Sequence, residues 1–166
     1  AQLAYLPVST SASASLFKAR GEAGAYEGHV GASVALAQSM DLSSSVLIAI
    51  AQHHELADGS GFPLGLLGDD LSPAGRILAL VNHYDGLCNP ANRAEGLTPH
   101  EALSVLFSKH KAHFDPITLN AFIRMMGVYP PGSVVQLVNG LYALVVSVNS
   151  ARPLRPKVIV HDPNVP

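Results

Sequence analysis

Two consecutive histidines, His53 and His54, close an apolar stretch, and "ELADGSGFP" follows them. Imidazole is the commonest side-chain ligand for transition metals, which need several donors converging on one point. On a helix, consecutive side chains point about 100° apart. The pair therefore serves one ion only near a helix end, or is split between two ions. His29 lies on the preceding helical segment and reaches the pair if the two segments run antiparallel. Asn82 and Asp85, three residues apart on a later helix, could bring oxygen ligands or hydrogen bonds to the same place. Each of these residues also has a plainer reading. His29 alone reads as a partly buried histidine, and His53-His54 as a favourable helix C-terminus. Asp85 alone is a solvated or hydrogen-bonded side chain, and Gly59, Gly61 and Pro63 alone mark a turn. His83 is expected on a helix surface, His100 within a capping box, and Cys88 as a small buried side chain. No Ser-His-Asp or Cys-His motif and no Walker-type phosphate loop is present.

The elements that must position these groups are mostly helical. The text becomes helical from His29. Ser43 to Ala57 carries Val46, Leu47, Ile50 and Ala51 on one face, with Gly59 as the stop. Ser72 is an N-cap with Pro73 at the first helical position. Ile77, Leu80, Val81, Tyr84 and Leu87 then predict a core-facing stripe. Thr98 and Glu101 form a capping box, followed by Leu103, Leu106, Phe107 and His110 on one face. Asp115-Pro116 opens a last helix through Leu119, Phe122, Ile123 and Met126, and Gly127 ends it. After Gly127 the period changes. Val134–Val138 and Tyr142–Val148 read as strands joined by an Asn139-Gly140 hairpin turn, with a third strand at Lys157–Val160. The expected organisation is an irregular segment over residues 1–27 (including the polar "STSASAS"), a helical domain over 28–127 and a small β appendage over 128–166.

Composition limits the function classes. The 166 residues are 48% hydrophobic and 13% charged, enough apolar content for one real core. A net charge of -2 offers no general pull toward a nucleic acid polymer or an acidic membrane. A single cysteine excludes an internal disulfide, no apolar run reaches a membrane span, and no secretory signal is visible, which together suggest the cytoplasm. The chain does not begin with Met and is expected to be a piece of something longer.

The whole string "HHELADGSGFPLGLLGDDLSPAGRILALVNHYDGL" resembles the second half of the HD-GYP domain, a branch of the HD metal-dependent phosphohydrolases. "HVGASVAL" resembles that family's upstream histidine segment; "FDP" and "GVYPPGSVVQL" resemble its last helix and β extension. The resemblance covers residues 28 to 148. It implies a mainly α fold, an HD-type helical bundle followed by a small C-terminal β extension. It also implies hydrolysis of cyclic di-GMP to pGpG or GMP, with hydroxide held on a cluster of two or three divalent metals, iron or manganese, attacking phosphorus. By the same resemblance His29, His53 and His54 are metal ligands. Asn82 occupies the place of a ligand Asp. Gly61, Phe62 and Pro63 form the loop that gives the family its name, with Phe for Tyr, and Asp85 contacts substrate or supports the site.

The chain departs from the family pattern at several points. Residues 1–28 hold neither His nor Asp, so the HD motif has no counterpart there and the catalytic residues stay unassigned. Asn82 brings no negative charge, and two basic positions read Ala91 and Ala94, with Arg93 nearby. Two expectations follow. One is a metal-dependent phosphodiesterase whose HD segment and fused regulatory domain lie elsewhere in a parent protein. The other is a degenerate module, with or without metal, that senses nucleotide or binds a partner such as a diguanylate cyclase.

Overall fold

The computed structural model describes residues 23–149, 151–152 and 154–161. Five α-helices precede a three-stranded sheet: α1 (Ala23–Ser39), α2 (Ser44–Ala51), α3 (Pro73–Cys88), α4 (Pro99–Ser108), α5 (Pro116–Met126), then β1 (Val134–Gln136), β2 (Tyr142–Ser147) and β3 (Lys157–His161). This is the mainly helical bundle with a small β extension that the sequence implies.

Helix starts are set locally. Ser72 caps α3 by accepting from the Gly75 N–H, with Pro73 just inside. Thr98 and Glu101 close the expected capping box on α4. Asp115 accepts from the Thr118 N–H at the start of α5, and Gly127 ends that helix at φ 70°. The main core forms where α3, α4 and α5 meet, from Leu80, Leu103, Leu106, Phe114, Leu119 and Phe122. Leu56, Val81, Tyr84, Leu87, Ile123 and Met126 close over it. Burying six such large side chains supplies about 1.5–3 kcal/mol each against chain entropy. α1 packs on α2, and α2 on α3, so the first two helices form a second layer beside this core.

The sheet is antiparallel in the order β1-β2-β3. Val134 pairs with Leu144, and Leu144 with Ile159. Ala143 and Val145 point inward, while Tyr142, Leu144 and Val146 lie on the exposed face. The sheet sits against the end of α5, where a Cβ on Gly127 would come within 3.0 Å of Val148.

Several expectations need correction. Of the segment 1–27, residues 1–22, "STSASAS" among them, lie outside the described residues, and 23–27 already belong to α1. α2 stops at Ala51, six residues before the predicted Ala57. Ile77 and Phe107 sit on the predicted core stripes but are more than half exposed, because α3 and α4 bury narrower faces than their apolar residues mark. β1 ends at Gln136, since Leu137 already pairs with Leu141 across the Asn139-Gly140 turn and leaves Val138 in solvent. Cys88 is half-buried.

Candidate metal centre

The early stop of α2 solves the geometric problem of adjacent ligands. Gln52 is its C-cap, so His53 and His54 lie in a turn where the 100° rule no longer applies. Gln52 is also what holds that end in place. Its side-chain oxygen accepts from the Ser72 N–H at 2.9 Å and the Ser72 hydroxyl at 2.7 Å, tying the end of α2 to the start of α3. α1 runs alongside and presents its buried stripe, His29, Val30, Ser33 and Ala37, to α2.

Three imidazoles therefore meet at one point. His29 Nε2 lies 3.1 Å from His53 Nε2 and 3.0 Å from His54 Nε2. His29 and His53 are buried and His54 half-buried. The chemistry of the donor set suits a cation. A carbonyl oxygen can only accept, so the 2.5 Å contact between His53 Nδ1 and the Ile50 carbonyl puts the proton on Nδ1 and a lone pair on Nε2. The Asn82 side-chain nitrogen donates to His54 Nδ1, which puts the His54 proton on Nε2 toward His29 and leaves the His29 and His53 Nε2 lone pairs facing each other, the arrangement a cation would relieve. One ion with bonds of about 2.1 Å would take all three, with nitrogens spaced about 3.4 Å apart, a few tenths more than here. The cluster could thus hold one metal ion.

The loop after the histidines is built on a residue the sequence reading passed over. Glu55 is fully buried, and its two carboxyl oxygens accept from Leu64 N–H at 2.7 Å and Leu66 N–H at 2.9 Å. The Phe62 N–H donates to the His54 carbonyl, and the Phe62 ring stacks on the His54 ring with centres 4.6 Å apart. Phe62-Pro63 is a cis peptide. Gly61 passes so close to Glu55 and Leu56 that no side chain fits. A polar residue directly after the histidine pair, within an otherwise apolar approach, was the available signal for Glu55. Glu55→Gln should cost about 1–3 kcal/mol, because an NH2 group would replace one buried acceptor and face a backbone N–H donor to donor. Urea unfolding measures it; a change below half that range contradicts this role.

The other expected site residues divide. Asn82 reaches the cluster, with its side-chain nitrogen 2.9 Å from His54 Nδ1. Asp85 does not come into contact with the histidines among the contacts described; it is exposed and accepts from Asn89 at 2.9 Å. His83, expected on the surface, is half-buried and bonds His110. Among the described residues, no carboxylate joins the histidine group.

Burial, with the nearby His29 adding to it against the opposing Ile50 hydrogen bond, pushes the His53 pKa from 6.5 down to about 4. The folded state thus binds fewer protons than the unfolded chain between those values. Stability from this group is complete above pH 6.5 and falls as pH drops toward 4, by up to about 3 kcal/mol. Acid titration of the unfolding free energy should show that loss, and His53→Gln should remove most of it.

A helical bundle whose second layer gathers three histidines at the mouth of a glycine-bearing loop defines a class: a helical domain with a histidine cluster fit for a metal ion. The chain belongs to the HD domain family, whose model matches residues 10–117, and that family is metal-dependent. It is 31% identical over 119 residues to the cyclic di-GMP phosphodiesterase PA4108 of Pseudomonas aeruginosa, covering 72% of this chain and 28% of that protein. It is 36% identical over 92 residues to a probable cyclic di-GMP phosphodiesterase of Vibrio cholerae, covering 52% and 21%. It is 34% identical over 87 residues to the cyclic di-GMP phosphodiesterase response regulator RpfG of Xanthomonas campestris, covering 52% and 23%. The matched segments thus span about a quarter of these relatives' own length. No described helix is long and apolar enough to cross a membrane.

Proposed function

We propose that this chain is the histidine-bearing part of an HD-GYP-type phosphodiesterase acting on cyclic di-GMP. The observation that carries the reading is the convergence of His29, His53 and His54 beside Phe62. Those three histidines would hold the ion, iron or manganese by the donor preference of the family. When bound, such an ion supplies Lewis acidity toward the phosphoryl oxygens and lowers the pKa of water. The chain's own residues do the positioning. His53 presents Nε2 because Ile50 holds its Nδ1–H. Glu55 and Gly61 fix the loop that lays Phe62 over His54. Phe62, Pro63 and Asp85 are the candidate nucleotide contacts, and the flat Phe62 ring offers a surface at the open side of the cluster.

One observation favours a second reading, in which nucleotide is bound but not cleaved. A pair of like-charged cations is held together by bridging carboxylate, and none joins the cluster among the described residues. A fused regulatory domain, a diguanylate cyclase partner and a cytoplasmic setting belong to either reading. The test is cyclic di-GMP turnover by the parent protein loaded with Mn2+ or Fe2+, with pGpG measured by chromatography. Hydrolysis that disappears in His53→Ala is the expected result. Turnover no greater than that of His53→Ala overturns the enzyme reading, and saturable binding without turnover establishes the second.

A further inference from the structure

The β extension lacks the pattern of a sheet with one wet face. An antiparallel sheet that packs on a core from one side alternates apolar and polar residues along each strand. Here β2 reads YALVVS and β3 reads KVIVH, so apolar residues point to both faces. Ala143 and Val145 take the inner face and are buried. The register then sets Val134, Leu144 and Ile159 side by side in one row across the outer face. Tyr142 and Val146 flank Leu144 along the central strand. Val134, Tyr142 and Ile159 are more than half exposed, and Leu144 and Val146 are each 43% exposed. We propose that this outer face is a self-association surface, and that its occupant is the same face of a second copy of the chain.

Area, charge and shape select that occupant. The five residues leave roughly 500 Å2 in water, as large as the biggest apolar patch on most monomers and a size that usually marks an interaction site. Two such faces together would cover about 1,000 Å2, the least that a specific interface needs. The expected complex is therefore a reversible dimer with a dissociation constant of about 10–100 µM.

An isologous pair sets a surface against itself, so a charge near its centre meets its own like. Lys157 is the only Lys, Arg, Asp or Glu in the three strands. It stands at the start of edge strand β3, paired with Ser147, and leaves the row through Leu144 uncharged. An acidic or basic partner finds no cluster of opposite charge on this face, whereas an identical apolar face meets no repulsion. The row also fits its own image. A two-fold axis along β2 lays Leu144 on Leu144 and Val134 on Ile159, with the two sheets about 10 Å apart as in aligned sheet packing.

The test is analytical ultracentrifugation of the 166-residue chain at loadings on both sides of the expected constant. Monomer and dimer in reversible exchange are expected, with nothing larger, because pairing uses up the face. Leu144→Glu sets two carboxylates against each other at the centre and should weaken the dimer at least about tenfold. Leu144→Lys should do the same alone, and a mixture of the two variants should dimerise again. A monomer at every loading, growth beyond the dimer, or a mixture that stays monomeric overturns the proposal. So does full dimerisation of Leu144→Glu, which is the outcome of pairing edge to edge through β1 or β3. Far-UV circular dichroism checks folding. Should the Leu144 variants not fold, Ile159→Lys at the more exposed neighbouring position takes their place, and unchanged dimerisation there overturns the proposal instead.

Discussion

Gly61→Ala is expected to detach the loop from the histidine turn and to be among the most damaging single substitutions in the chain. A Cβ at that position would lie 2.3 Å from Leu56 N, 2.5 Å from Glu55 Cα and 2.6 Å from Glu55 C. All three are backbone atoms, so no rotamer change can make room. The loop must lift as a body. Lifting it strains three bonds together: Leu64 N–H and Leu66 N–H to the buried Glu55, and Phe62 N–H to the His54 carbonyl. Losing even part of that set leaves Glu55 buried without its donors. The expected cost is about 3 kcal/mol or more, the sum of overpacking and unsatisfied buried groups. Phe62 would also leave the His54 ring, so metal affinity should fall with stability. Denaturant unfolding and a metal titration on the same preparation check both. A cost under about 1 kcal/mol would show that the loop has slack the distances deny.

What the sequence made legible was local. Ser72, Thr98 and Asp115 announce their helices because a cap acts within three residues. Asn139-Gly140 announces a turn because the φ requirement falls on the turn itself. The resemblance named the three histidines, and the structure brings all three together. The end of α2 was not legible, because it depends on Gln52 reaching Ser72, twenty residues away, and on Glu55 turning into the loop. Nothing in the local text "IAQHHELA" distinguishes a helix that stops at Ala51 from one that continues to Ala57. The exposure of Ile77 and Phe107 has the same origin: periodicity marks an apolar face, but only the neighbouring helices decide how much of it is covered. The pairing of His83 with His110 is longer in range still and joins residues whose separate contexts suggest a surface position and a helix face.

Asn82→Asp is expected to strengthen metal binding at the first cluster by about 10–100-fold, the scale by which an oriented carboxylate partner changes a histidine ligand. The reason lies in hydrogen-bond direction. The Asn82 side-chain nitrogen faces His54 Nδ1 at 2.9 Å, and an amide nitrogen can only donate. His54 Nδ1 is then an acceptor, and in the neutral ring the proton sits on Nε2, the atom that faces His29 and must be a lone pair to bind metal. Metal binding therefore requires the Asn82 amide to turn over and present its oxygen. A carboxylate presents only oxygens. It would fix the proton on His54 Nδ1, free Nε2 toward the ion, and add a negative charge beside the cation. The gain should be read by competition with a chelating dye at pH 7, where His53 is already neutral. The carboxylate favours a doubly charged ion over a protonated cluster, so the same substitution should also lower the pH at which acid expels the metal. If Asn82→Asp leaves affinity unchanged, His54 does not set the strength of the cluster, and His29 with His53 would account for the binding alone.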